Sequence, residues 1–172
     1  MAVEVLVLYD SRGGLIEQLA KGVGEGVAQV PDAAARLRRI DDAVREDLFR
    51  ADAIILGSPN WTGITGKMKL WMDNAGDMWS EGQLVNKVGA AFTAGSSKSA
   101  GIELTLLMLF HWMFAGGMVV CGLPWNERMR TTGSYYGPTA AGSVQPDDLA
   151  NARALGRRVA EIATRLKLGT TA

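Results

Sequence analysis

Five apolar blocks recur along the chain with helical patterns between them: VEVLVLY at 3–9, AARLRRI at 34–40, AIILGSP at 53–59, KVGAAFTAG at 87–95 and GMVVCGLP at 117–124. The first, third, fourth and fifth are runs of β-formers, the pattern of strands buried on both faces in a parallel sheet. The second is arginine-rich, as an edge strand would be. Apolar residues at helical spacing predict helices near 14–29, 42–50, 65–77 and 102–115, and a closing helix near 146–167. This βαβ series predicts an α/β fold, a doubly wound sheet with right-handed crossovers and ligands at the carboxyl ends of its strands.

At 172 residues the chain is expected to form a single domain over 1–172, long enough to bury about 70% of the surface its unfolded form exposes. Cys121 is the only cysteine, which excludes an intrachain disulfide and a thiolate cluster for iron–sulfur or zinc. No metal site is therefore expected, and the cytoplasm is the expected compartment. Lys plus Arg and Asp plus Glu both number 18, so no bulk basic field exists for nucleic acid and no acidic field for docking. The opening MAVEVLVLYD lacks a basic n-region and reads as a strand rather than a signal peptide. The run IELTLLMLFHWMFAGGMVV at 102–120 is divided by Glu103, His111 and Gly116-Gly117 into a helix and a strand, so membrane insertion is not expected.

Three loops that follow strands one, three and four carry the chemistry. In the first, Ser11, Arg12, Gly13, Gly14 and Leu15 lead from strand to helix. Glycines let a ligand oxygen approach the backbone, Ser11 adds a hydroxyl, and the helix start supplies unpartnered N–H groups. Neither the dinucleotide G-x-G-x-x-G pattern nor the Gly-Lys-Ser/Thr ending of a P-loop is present, so a terminal phosphate fits better than a diphosphate. The second loop, Pro59, Asn60, Trp61, Thr62, Gly63 and Ile64, sets amide edges beside an aromatic ring. Alternatively Trp61 packs under its own loop. The third, Thr93, Ala94, Gly95, Ser96 and Ser97, is small and hydroxyl-rich, with Lys98 read as a solvated surface residue. One phosphate loop and two ring-edge loops on one sheet describe a mononucleotide with a large flat base, which points to FMN.

The segments VLVLYDSRGG, ADAIILGSPNWTGITGKMKLWMD, MWSEGQLVNKVGAAFTAGSS, GMVVCGLPW, YGPTAAGS and ARALGRRVAEIATRL resemble, in order, the WrbA-like NAD(P)H:quinone oxidoreductases of the flavodoxin-like superfamily. This resemblance implies a five-stranded parallel sheet of order 2-1-3-4-5 with helices on both faces. It implies FMN held at its phosphate by Ser11 to Leu15 and along its isoalloxazine by Pro59 to Ile64, with Thr93 to Ser97 on the remaining edge. It further implies two-electron, ping-pong transfer from NADH or NADPH to a quinone or similar acceptor, and a homodimer or homotetramer. Trp79 matches a tryptophan that reaches towards a neighbouring subunit's flavin site, an interface residue in either reading.

The chain departs from that pattern where relatives carry a histidine pair before the fifth strand: here Ala115, Gly116, Gly117 and Met118 stand in line. The sole histidine, His111, lies earlier on an apolar helix, where packing or an interface is its ordinary role. Hydride transfer rests on the cofactor, so reduction survives this loss while acceptor positioning and protonation need other donors. Tyr135, Tyr136 and Asn126, on the turn-rich segment 126–145, are the candidates, and Trp79 with Tyr135 and Tyr136 are expected pocket walls. The connection between strands two and three is shorter than in many relatives. Helix 102–115 is apolar around its circumference and is expected to bury a face against a second subunit. A flavodoxin-type electron carrier, or a related azo, nitro or flavin reductase, is the alternative on the same fold.

Overall fold

The computed structural model describes residues 2–169. In chain order the elements are β1 (Val3–Tyr9), α1 (Leu15–Val27), β2 (Ala33–Arg39), α2 (Arg45–Arg50), β3 (Ala53–Pro59), α3 (Gly66–Asn74), α4 (Gly76–Ser80), β4 (Val88–Gly95), α5 (Ile102–Ala115), β5 (Val119–Val120), β6 (Thr139–Ala141) and α6 (Pro146–Gly169). The sheet is parallel with order β2-β1-β3-β4-β5, and β6 also pairs with β4. Arginine-rich β2 is the edge strand, as its composition predicts.

Alternation along each central strand divides the core between the two faces. Val3, Val5, Val7 and Tyr9 of β1 point towards α1 and α6, whereas Leu6 and Leu8 point towards α3, α4 and α5. Ala53 and Ile55 of β3 join the first layer, and Ile54 and Leu56 join the second. Because every one of these side chains is buried, the strands read as unbroken apolar runs.

The fifth strand departs from the expected buried block at 117–124. Only Val119 and Val120 pair with β4, opposite Val88 and Gly89, and Val119 is 41% exposed. Beyond Cys121 the chain leaves the ladder: the Leu123 N–H donates to the Tyr135 carbonyl at 2.9 Å, so this stretch pairs with its own returning loop. The upper half of the strand is supplied instead by Thr139–Ala141, opposite Thr93–Gly95. The segment between carries a short 3-10 turn, Glu127–Arg130.

The expected helix at 65–77 is also divided, α3 and α4 being separated by Ala75, whose φ of −96° and ψ of 10° leave helical geometry. α5, expected to bury a face against a second subunit, carries apolar residues on both its buried and its exposed sides. Leu106, Leu109, Phe110 and Met113 face the core, while Leu104, Leu107, Met108 and Phe114 remain exposed.

Candidate active site

The loops after β1, β3 and β4 converge on one cleft of about 440 Å3 at the carboxyl ends of the strands. Its walls are Ser11, Arg12, Gly13 and Leu15 from the first loop, Pro59, Asn60 and Trp61 from the second, and Ala94, Gly95 and Ser96 from the third. Ile16 and Gly142 complete it. Neither was singled out from the sequence; Ile16 reads as helix core, and Gly142 arrives only because its N–H donates to the Gly95 carbonyl at 2.8 Å.

The first loop leaves the start of α1 open. Gly14 occupies the N-cap position with φ 81°, and it has no side chain to satisfy the first-turn N–H groups. A Cβ built at Gly13 or Gly14 meets nothing within 4 Å, so the space above both is free. Arg12 is exposed, its guanidinium 5.7 Å from the centre of the Trp61 ring. Trp61 is itself 61% exposed, which excludes the reading that it packs beneath its loop. Cation and aromatic face therefore meet across the mouth of the cleft.

Asn60 fixes the second loop against the third. Its amide donates to the Ala100 carbonyl at 2.7 Å, while its oxygen accepts from the Gly63 N–H at 3.2 Å and the Thr105 hydroxyl at 3.0 Å. Thr62 and Gly63 hold positive φ values of 58° and 124°, which turns the loop sharply between Trp61 and Ile64. At the base, the Thr93 hydroxyl donates to the Ser58 carbonyl at 2.7 Å, and the buried Ser58 hydroxyl accepts from the Thr65 N–H at 3.1 Å.

Several sequence candidates lie away from the cleft wall. Thr93 is fully buried beneath it and Gly63 is buried behind the second loop, whereas Thr62 and Ser97 are exposed beside it. Ile64 lines a separate cavity of about 350 Å3 together with Trp79, Met108, His111, Trp112 and Ala115. His111 and Ala115 thus share a cavity with Trp79, one helical turn apart on α5. Tyr136 lines another cavity of about 480 Å3 with Lys98 and Glu103, and the Lys98 ammonium donates to the Thr131 carbonyl. Tyr135 is 60% exposed, and the Asn126 oxygen accepts from the Arg128 N–H, capping the 3-10 turn. Within one chain neither Trp79 nor either tyrosine forms the cleft wall. The imidazole is absent from it too, leaving Arg12 as its one charged side chain.

The model of the NADPH-dependent FMN reductase family matches residues 5–126, which contain all three loops. The chain belongs to that family. It is 36% identical to an NAD(P)H dehydrogenase (quinone) from Archaeoglobus fulgidus, over 94% of this chain and 98% of the relative. A second protein of the same name, from Gluconacetobacter diazotrophicus, is 37% identical over 95% of this chain and 98% of its own length. Among solved structures, a flavodoxin, WrbA-like protein from Agrobacterium tumefaciens superposes with a TM-score of 0.79 at 27% identity, covering 95% of this chain and 99% of that one. The resemblance to the WrbA-like branch therefore holds. The alignment with the A. fulgidus protein spans 187 positions, more than the 172 residues here, so that relative carries segments this chain lacks.

Proposed function

We propose that this protein is an FMN-dependent NAD(P)H:quinone oxidoreductase. The observation that carries the reading is the cleft itself, an uncapped helix start and an exposed tryptophan on two loops that face each other across one opening. When bound, FMN supplies two-electron hydride acceptance and donation. The N–H groups of Gly13 to Leu15 and the Ser11 hydroxyl hold the phosphate, with Arg12 as the single cation. Pro59, Asn60 and Trp61 flank one edge of the ring system, and Ala94, Gly95 and Ser96 the other. Asn60 acts by position, because its side-chain hydrogen bonds already tie the second loop to Ala100 and Thr105.

With one cleft at the convergence of the three loops, the nicotinamide and the acceptor use the same site in turn, a ping-pong order. The cleft wall carries no histidine, cysteine or carboxylate, so the protons needed by a reduced quinone come from water or from a neighbouring subunit. The exposed apolar residues of α5 with Trp79 fit a homodimer or homotetramer in which Trp79 closes a neighbour's cleft. Among the described residues no helix is long and apolar enough to cross a membrane.

Anaerobic titration of the FMN-loaded protein with NADH and then NADPH tests this reading. Full bleaching of the flavin absorbance, reversed by added benzoquinone, is the expected result. A bound flavin that neither nicotinamide bleaches would overturn it in favour of an electron carrier.

A further inference from the structure

On the flank of α6 lies a second cavity of about 520 Å3 that shares no wall residue with the cofactor cleft. Four guanidinium groups line it, those of Arg128, Arg153, Arg157 and Arg158, against a single carboxylate, Glu161. In a chain with equal numbers of acidic and basic residues, this is a marked local excess of positive charge. Two of the four are neutralised: Arg153 pairs with Glu25 at 2.7 Å and Arg157 with Glu161 at 2.8 Å. Arg128 and Arg158 have no carboxylate within 4.0 Å among the described residues, and Arg158 lies instead beside the Cys121 thiol.

Arg128 is also held in place. Its Nε donates to the side-chain oxygen of Asn151 at 3.2 Å, and Asn151 is completely buried, so the guanidinium is anchored at its Nε. Such a fork suits phosphate or carboxylate oxygens in bidentate geometry. The remaining wall is apolar where Leu123, Pro124 and Ala154 meet, a surface for the organic part of a ligand. The volume lies within the range of small-molecule sites, roughly 300–1,000 Å3.

We propose that this cavity binds a small phosphorylated organic anion of nucleotide size, its phosphates between Arg128 and Arg158 and its base against Leu123 and Pro124. The site is independent of the FMN cleft and of the reaction proposed there.

The test uses ADP and, separately, inorganic pyrophosphate, titrated by calorimetry into protein saturated with FMN so that the cleft is not the receptor. The expected result is saturable ADP binding below about 1 mM, displaced by pyrophosphate and weakened at least about tenfold in the double variant Arg128→Gln, Arg158→Gln. FMN affinity and bleaching by NADH stay unchanged in that variant, since neither arginine touches the cleft. Three outcomes overturn the proposal: no saturable ADP binding, ADP binding that the double variant leaves intact, or ADP binding that pyrophosphate does not compete for. The last of these would show that the arginines do not read phosphate.

Discussion

The Thr65 hydroxyl donates to the Asp10 carboxylate at 2.6 Å, and the same oxygen accepts the Met68 N–H at 3.1 Å. One side chain thus caps α3 and ties the start of the first ligand loop to the end of the second. Asp10 and Thr65 are both buried, at 4% and 4% exposure, so neither has water as a ready substitute partner.

Replacing Thr65 by Val removes the cap and leaves the buried Asp10 short of a donor, at a cost of about 2–3 kcal/mol. Because the two loops lose their tie, FMN affinity falls together with stability. Thr65→Ser keeps the hydroxyl and stays within about 0.5 kcal/mol of the parent. Urea denaturation and a flavin-fluorescence titration on the three proteins check both halves; a Thr65→Val protein as stable as the parent would refute the double role.

The packing of α1 on α6 depends on glycines that meet backbone. A Cβ at Gly156 would lie 2.0 Å from the Val23 carbonyl oxygen, and one at Gly26 would lie 2.0 Å from that of Arg153. Either Gly→Ala change forces the helices apart, with an expected loss of about 3 kcal/mol. Gly22 differs, because its Cβ would meet the Ala152 methyl at 3.1 Å, a contact that small shifts relieve. There the gain in helix propensity, about 1 kcal/mol, offsets the strain. Thermal denaturation should therefore rank Gly22→Ala near the parent and the other two well below it.

Why some of this was legible in the sequence and some was not follows from how far each feature depends on distant residues. The strands β1, β3 and β4 announce themselves because burial on both faces demands apolar residues at every position, as in Leu6, Val7 and Leu8. The three loops are legible for a similar reason, since glycines and hydroxyls at a strand end serve a local geometric need. The split fifth strand is not local: Val119-Val120 and Thr139–Ala141 become one edge only because β4 offers both halves of its length. Asn60 reads as a ligand residue, yet its partners Ala100 and Thr105 lie 40 and 45 residues away and are met only in the fold. The grouping of Arg128 with Arg153, Arg157 and Arg158 escapes a linear reading in the same way. Trp79, Tyr135 and Tyr136 resemble pocket residues by motif or loop position, and a single chain places all three off the cleft wall.

The two glycines of the first loop separate stability from ligand binding. Gly13 has open space where a side chain would go and no positive φ, so Gly13→Val leaves stability within about 0.5 kcal/mol. That same open space is the phosphate site proposed above, so the variant should lose FMN. Gly14, at φ 81°, is strained by any side chain, and Gly14→Ala should cost about 1–2 kcal/mol before any ligand is added. Melting curves without FMN, paired with a flavin-fluorescence titration, distinguish the two. Unchanged FMN affinity in Gly13→Val would show that the phosphate sits elsewhere.

Asp47 provides a test in acid. Burial alone would raise its pKa, but the Val44 N–H at 3.1 Å and Arg36 at 3.1 Å, with Arg38 at 3.4 Å, together hold it below the ordinary carboxylate value. A carboxyl whose folded pKa is depressed stabilises the protein above its unfolded value, about 3.9. That contribution is lost as the pH falls through the lower folded value. Asp47→Asn removes the charge-assisted bonds to β2 and should cost about 1–3 kcal/mol at pH 7. The gap between parent and variant should then shrink as the pH falls below about 4, because the unfolded carboxyl takes up a proton before the folded one does. Urea midpoints measured from pH 7 to pH 3 decide the matter, and a gap that stays constant across that range would mean that Asp47 acts through packing or neutral hydrogen bonds rather than through its charge.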